Sequence, residues 1–379
     1  MIRYRWQTLD PTAKRDRELF IEAGNLVRPG CQFHLRRRHA QTVRTYMRSF
    51  PQYRYLVLWR EGTLVGRMAC GLLDTSNHRD NEPKGFVGLT AFSSHQDLKP
   101  ELITDRVHQL FPAAKAFLLP FFHSTWHSYR CLIQREFDLY LDSQLGHIPE
   151  WWHQTPFMQN LPSHHYRSAL SPHVATIITK TARAHSRVKG EGFRLRRLNQ
   201  SQLAQETQSL YGIALECFEN QPFYQPITEQ AFRALYQTPL KTIDPNWLTI
   251  AESPTGEPLG FLFSLPDDSR LLRRYDIEHL PGKLAFLWQR HRQARGVIIK
   301  TVAIRPQYQK RGLYQALFHH QLTIAKQTLG ADYCVGAYVH EDNPSMRIIE
   351  PTTHNNRYRL YELPGESPPI DWSRPDKLT

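Results

Sequence analysis

The sequence predicts an α/β fold built as two related halves, and three observations lead there. The chain has 379 residues, more than one compact core ordinarily holds at roughly 100–200 residues per domain. Two stretches about 190 residues apart share one pattern, a period far too long for a solenoid unit and suited to a duplicated domain. Finally, an alternating apolar run passes through a proline and a basic glycine turn directly into a helical pattern, "VAIRPQYQKRGLYQAL", Val302 to Leu317.

Composition sets the frame. The chain is 40% hydrophobic and 12% aromatic, as a globular protein is. No apolar run reaches the roughly 18 residues needed to span a bilayer. The opening "MIRYRWQTLDPTAKRDREL" has scattered charges and no apolar h-region, so it does not read as a secretory signal. The five cysteines, Cys31, Cys70, Cys131, Cys217 and Cys334, form no C-x-x-C pair. That argues against a zinc site or a disulfide framework and suits a reducing cytoplasm, the expected location. The net charge of +13 predicts a field that attracts polyanions, whether nucleic acid, an anionic membrane or a phosphorylated small molecule. The densest basic run, "HLRRRHAQTVRTYMR", has helical spacing with arginines on several faces and reads as a solvated helix.

The repeated elements follow in order. "LVLWREGTLVGRMACGLLD", Leu56 to Asp74, and "LTIAESPTGEPLGFLFSLPD", Leu248 to Asp267, each read as strand, glycine turn and strand. Their turns "EG" and "PTGEP" hold the residues that hairpins need. A further apolar strand and a helix come next. These are "GFVGLTAF" with "ELITDRVHQLFPAAKAFL" in the first half, and "GVIIKTVAI" with "GLYQALFHHQLTIAKQTLG" in the second. The seam falls in "ITKTARAHSRVKGEGFRLRRLN", where a basic helix stops at "KGEG" and a strand begins. The halves are therefore residues 1–185 and 186–379. "RYRLYEL" reads as a last strand, and "PGESPPIDWSRPDKLT" as a tail lying on the surface or disordered.

The glycine turn carries the chemistry. The first amides of a helix lack internal partners, and the helix dipole makes that end partly positive, so it binds phosphate. Gly312 lets the backbone approach a bulky anion. Lys310 and Arg311 add charge, while Tyr308 and Leu317 can pack the loop onto the core. The turn is neither a Walker loop nor a dinucleotide fingerprint. It reads as a pyrophosphate cradle. Beyond its helix come a strand, "ADYCVGAYV", and "HEDNPSMRIIE", with Asn343 as the N-cap of a second helix.

Residues Val297 to Glu350 resemble the coenzyme A-binding half of the GNAT superfamily of N-acyltransferases. Its pattern has a strand, [QR]-x-x-G-x-[GA], a helix, another strand, and N-x-x-[SAM] opening a second helix. Here these are "QKRGLY", Gln309 to Tyr314, and "NPSM", Asn343 to Met346. Stretches such as "FYQPITEQAFRAL" and "LAFLWQRHR" are similar to a bacterial group of tandem-GNAT proteins, which extends the resemblance from about Tyr53 onward. The resemblance implies an α+β mixed sheet flanked by helices in two tandem GNAT-like domains, the first degenerate. It implies acyl-CoA, acetyl-CoA or longer, as co-substrate, no metal, and a small-molecule amine or amino acid as acceptor. Val302, Ala303 and Ile304 would bind pantetheine through the main chain. The amides of Gln309, Lys310, Arg311, Gly312, Leu313 and Tyr314 would hold the pyrophosphate, and Asn343 and Met346 would lie near the thiol. Two departures stand out. Tyr314 replaces the small residue of the motif, either crowding the phosphates or pointing outward along the helix. Where many relatives carry a tyrosine that protonates the thiolate, this chain has Glu350.

In the first half "SSHQDLKPELI" follows the corresponding strand, without glycine and with Asp97 where phosphate would sit. That copy reads as unable to hold coenzyme A. Amide formation from a thioester needs a neutral amine, a polarised carbonyl and a proton for the sulfur. Tyr338, His340, Glu341 and Glu350 are the candidates, with Tyr338 and His340 on one face of their strand and Glu341 on the other. Each also has a structural reading: a core tyrosine, a surface histidine, acids favouring a helix dipole. "HSTWHSYR", His123 to Arg130, holds a serine beside histidines but lacks the G-x-S-x-G elbow of a hydrolase. "SHHYRS", from Ser163, reads as a polar loop rather than a metal site. Two alternatives keep the fold. One takes its donor from aminoacyl-tRNA or an acyl carrier protein, which the basic charge would suit. The other binds acyl-CoA without catalysis.

Overall fold

The structure, a computed structural model, describes residues 2–27, 35–74, 82–293 and 295–365. Cys31, His34 at the head of the basic run and the tail beyond residue 365 lie outside the described residues.

The first half opens with strand β1 (Tyr4–Leu9), helices α1 (Lys14–Val27) and α2 (Arg36–Ser49), and the hairpin β2 (Arg54–Arg60) and β3 (Thr63–Leu72). β4 (Lys84–Phe92), α3 (Glu101–Leu110) and β5 (Ala116–Leu119) follow. Short strands β6 (Phe121–Phe122), β7 (Ser128–Tyr129) and β8 (Cys131–Gln134) and one helical turn, α4 (Pro156–Gln159), lead to β9 (Ser163–Ser171). Helix α5 (Val174–Gly190) passes to the second half, where β10 (Arg194–Arg197), α6 (Leu203–Phe218) and α7 (Glu229–Thr242) precede the hairpin β11 (Leu248–Glu252) and β12 (Pro258–Pro266). Then come α8 (Ser269–Arg274), α9 (Leu280–Gln293), β13 (Gly296–Ile304), α10 (Leu313–Leu329), β14 (Tyr333–His340) and β15 (His354–Pro364). No helix among the described residues is long and apolar enough to cross a membrane.

Among the described residues thirteen strands form one mixed sheet, running β1-β2-β3-β4-β5-β15-β9-β14-β13-β12-β11-β10, with β8 also on β15. Among the described residues only β4–β5 and β13–β14 pair in parallel. The hairpin turns match their sequence: Glu61 and Gly62 both have positive φ, the turn whose twist suits flanking strands. β13 and β14 are near-continuous apolar runs because helices and loops cover both sheet faces. Val297 and Ile299 face the core under α10, and Ile298 faces the opposite one. Helix α10 buries Leu313, Leu317 and Leu322 against that core, with α5 beside it. Truncating Leu317, fully buried, to alanine would cost about 2–5 kcal/mol.

The two closing strands are exchanged. β15 lies between β5 of the first half and β9, while β9 lies against β14 of the second half. Residue 185 falls inside α5. The "SHHYRS" segment is thus a strand and not a loop. Its polar residues hid the alternation because both faces offer polar partners: His164 Nε2 lies 2.9 Å from Glu362 Oε1, and His165 Nδ1 3.6 Å from Glu341 Oε2. The second helix expected after Asn343 is only a five-residue 3-10 turn, Pro344–Ile348, cut short before Pro351.

Candidate functional site

The turn between β13 and α10 has the geometry that its sequence predicts. Gly312 is left-handed, with φ +84°, and caps the helix; Lys310 is also left-handed, at φ +64°. Among the described residues the backbone N–H groups from Lys310 to Gln315 meet no protein acceptor, and the first N–H of the helix to be satisfied is that of Ala316, 3.0 Å from the Gly312 carbonyl oxygen. Tyr308 and Leu317 pack the turn onto the core. Gln309 donates from Nε2 to the Ile304 carbonyl at 3.1 Å, tying the turn to the end of β13. Sequence reasoning missed one cation here. Arg187 of α5 donates to the Arg311 carbonyl, and its Nη2 stands 2.5 Å from where a Cβ on Gly312 would sit. With Lys310 and Arg311 it places three cations around uncapped amides, an arrangement that fits a diphosphate.

Next to the turn the sheet opens. β13 and β14 pair only from Gly296–Ile299 to Tyr333–Gly336, although β13 continues to Ile304 and β14 to His340. The β13 edge at Val302, Ala303 and Ile304 keeps β12 on one side and has no strand on the other. A bulge follows Gly336, leaving Ala337 and Tyr338 unmatched against β9, with Tyr338 at φ +59°. Met346 and Ile349 are buried and floor the gap, within about 3 Å of where a Cβ on Gly336 would be. Asn343 accepts the Ser345 N–H at 2.9 Å and caps the 3-10 turn. Tyr314 points away from the cradle: its hydroxyl donates to the Ser345 carbonyl at 3.0 Å, and its ring lies on Phe318. The space between the strands continues into a cavity of about 1860 Å³, lined among others by Val302, Gln309, Gly312, Tyr338, His340 and Asn343.

The four catalytic candidates separate. Tyr338 and His340 line that cavity. The Tyr338 hydroxyl donates to Asp142 at 2.9 Å, and burial, with Asp142 second, pushes the phenol pKa well up. His340 packs edge-on against Tyr166, its Nδ1 3.3 Å from the Asp342 N–H and 3.7 Å from the Asp342 carboxylate. Glu341 and Glu350 are exposed, facing His165 and Arg167 at 3.6 and 3.4 Å, and are not among the residues lining the cavity. The acid slot filled by Glu350 in sequence is thus an exposed ion pair in space.

A polar cluster with no local signature stands behind Tyr338, and of its members Arg130 lines the same cavity. Asp142 accepts hydrogen bonds from Tyr338 and Tyr358, and burial still raises its pKa to about 7. Arg130 lies between the rings of Tyr129 and Tyr166, and donates from Nη1 to the Tyr338 carbonyl at 2.9 Å. Lys300, at the bulge of β13, also lines the cavity. The Ser124–His127 pair in "HSTWHSYR" is real, with Oγ 2.8 Å from Nδ1, but Ser124 is fully buried and burial holds His127 down at about 3. It packs the core.

The corresponding place in the first half is closed. β4 and β5 pair over Lys84–Phe86 and Ala116–Leu118. Beyond that, Gly88 admits the backbone of Phe121 so closely that a Cβ would stand 2.3 Å from its carbonyl oxygen. Phe121 and Phe122 fill the gap, fully buried. Asp97 accepts from the Tyr4 hydroxyl and from Arg60 Nε, each at 2.9 Å.

No family model and no curated protein matches the sequence. Solved structures do match its shape. The chain is similar to a tandem GNAT protein from the clavulanic acid biosynthesis pathway, at 10% identity and TM-score 0.50, over 97% of this chain and 100% of that one. It is also similar to a GCN5-related glucosamine N-acetyltransferase region of a fungal multi-domain GH3 beta-N-acetylglucosaminidase, at 13% identity and TM-score 0.53, over 95% of this chain. The match spans 38% of that fungal chain. The cradle, the parting strands and these likenesses agree: the protein has the GNAT fold in tandem.

Proposed function

We propose that the protein transfers an acyl group from a coenzyme A thioester to a primary amine of a small molecule or amino acid. The observation that carries this reading is the row of uncapped amides from Lys310 to Gln315 at the mouth of a gap between two parallel strands. The diphosphate rests on those amides and on Arg187, Lys310 and Arg311. The pantetheine arm runs along the free edge of β13 at Val302, Ala303 and Ile304, and the thioester lies near Asn343. The first half holds no coenzyme A, a reading supported by the Phe121–Phe122 plug and the Arg60–Asp97 pair.

In the reaction the amine lone pair attacks the thioester carbonyl carbon. The C–N bond forms, the C–S bond breaks, and the sulfur leaves with the bonding electrons. Main-chain N–H groups of β13 stabilise the oxyanion, and proximity supplies much of the rate. His340 takes the ammonium proton on Nδ1, the ring nitrogen that accepts the Asp342 N–H at 3.3 Å and stands 3.7 Å from the Asp342 carboxylate. Tyr338, protonated at working pH, can return its one phenolic proton to the thiolate by turning the hydroxyl from Asp142.

The test is a rise in melting temperature on adding coenzyme A, together with thiol release from a panel of acyl-CoA donors and amines. No rise and no release, at any chain length, rejects the reading. A rise without turnover leaves a protein that only binds acyl-CoA.

A further inference from the structure

Arg130 is a buried cation that is left only partly bonded. Its side chain comes from the first half of the chain and is 3% exposed. Tyr129 and Tyr166 hold the guanidinium face to face, its carbon 3.7 and 4.2 Å from their ring centres. Nη1 is used on the Tyr338 carbonyl. Nε is buried with no acceptor, and Nη2 meets none among the described residues. No carboxylate pairs with this cation there either, since Asp142 acts on it only at a distance and accepts the Tyr338 hydroxyl instead. A buried charge without a partner is expensive. Nε–H and the adjoining Nη2–H form one edge of the guanidinium, the fork that matches the two oxygens of a carboxylate.

The position of that edge decides what it reads. Arg130, Tyr166 and His340 all line the cavity. The His340 ring is 5.1 Å from the Tyr166 ring on which Arg130 stacks. Base and fork are therefore one aromatic ring apart. His340, at the end of β14, is paired with Tyr166 of β9, on whose ring Arg130 stacks, and the free edge of β13 lines the same cavity.

We propose that Arg130 binds a carboxylate of the acceptor, so that the substrate is an amino acid whose amine meets His340. This rests on the acyltransferase reading and narrows it: simple amines and polyamines are excluded as good acceptors.

The experiment compares matched acids and amides on the full chain: glycine and glycinamide, L-alanine and L-alaninamide, L-phenylalanine and L-phenylalaninamide. Acetyl-, octanoyl- and succinyl-CoA serve as donors, and thiol release is the readout. The acids should exceed their amides in kcat/KM by about 30-fold, the worth of a charged hydrogen-bonded pair. Arg130→Met should erase that preference through KM of the acid, leaving the coenzyme A-induced thermal shift unchanged, and Arg130→Lys should retain part of it. Equal use of amides by the unaltered protein overturns the proposal without any variant that might misfold. So does an Arg130 dependence seen only with succinyl-CoA, which would put the carboxylate on the donor, or a panel without turnover in a protein that binds coenzyme A. Failure to bind coenzyme A would count instead against the acyltransferase reading. Acid-against-amide thermal shifts on the free protein would then still read Arg130, and their absence overturns its role.

Discussion

Arg187 of α5 donates from Nη2 to the main-chain oxygen of Arg311, 3.2 Å away, and so fixes a turn that belongs to another element. The guanidinium is largely exposed, and its pairing with a phosphate is therefore screened. Arg187→Ala should weaken coenzyme A binding by about two- to fivefold and flatten its dependence on salt. Calorimetric titrations at low and high salt check this. An unchanged salt slope would remove Arg187 from the site.

Gly312 cannot be replaced at low cost. Its φ of +84° strains any side chain, and a Cβ would stand 2.5 Å from Arg187 Nη2. Gly312→Ala should lose about 1–2 kcal/mol of stability. It should weaken coenzyme A binding more than tenfold, because the displaced guanidinium and the twisted turn both spoil the cradle. Urea unfolding and titration on the same preparation separate the two effects.

His340→Gln should lower kcat by about 10²–10⁴-fold and leave coenzyme A affinity unchanged, as loss of a general base does. Glu341→Gln and Glu350→Gln should stay within about twofold of the unaltered protein, because both carboxylates sit in exposed ion pairs. A large effect at Glu350 with a small one at His340 would reverse the assignment.

Asp142 links pH to stability. Burial raises its pKa from 3.8 to about 7 in the folded protein. Between those values the folded state keeps a proton that the unfolded chain has released, so this group's contribution falls as pH rises from about 4 to about 7. Asp142→Asn removes that slope. The stability of the variant relative to the unaltered protein should climb with pH across this window, by up to about 1.4 kcal/mol per unit, and level off above it. Denaturant midpoints at several pH values read the difference, and parallel curves would contradict it.

The features legible in the sequence are those set by neighbours along the chain. Glu61 and Gly62, Gln309 to Tyr314, and the Asn343 cap each announce themselves through turn chemistry or helix-end rules. The outward turn of Tyr314 toward Ser345 was one of two outcomes that its position allowed. What stayed hidden depends on residues far apart in the chain. Arg187 reaches the cradle from the seam helix, 124 residues before Arg311, and Arg130 reaches Tyr338 from the first half. Asp142 is an ordinary acid in "YLDSQ" until two tyrosines from the second half close over it. The division of the chain near residue 185 remains our proposal for how the duplication arose, and the pairing of β9 with β14 and of β15 with β5 cuts across it.

That crossing of strands constrains how the molecule is made. As the chain leaves the ribosome, the first half can assemble β1 to β5, but the partner for the free edge of β5 is still unsynthesised. The edge stays open, able to pair with another nascent chain, until residues near 360 have emerged. Closure then joins Leu119 to Tyr361, on the order of 240 residues later in the chain, a late and slow event in any chain whose contacts span such distances. Aggregation during expression, and its relief at lower temperature, would be symptoms of that delay.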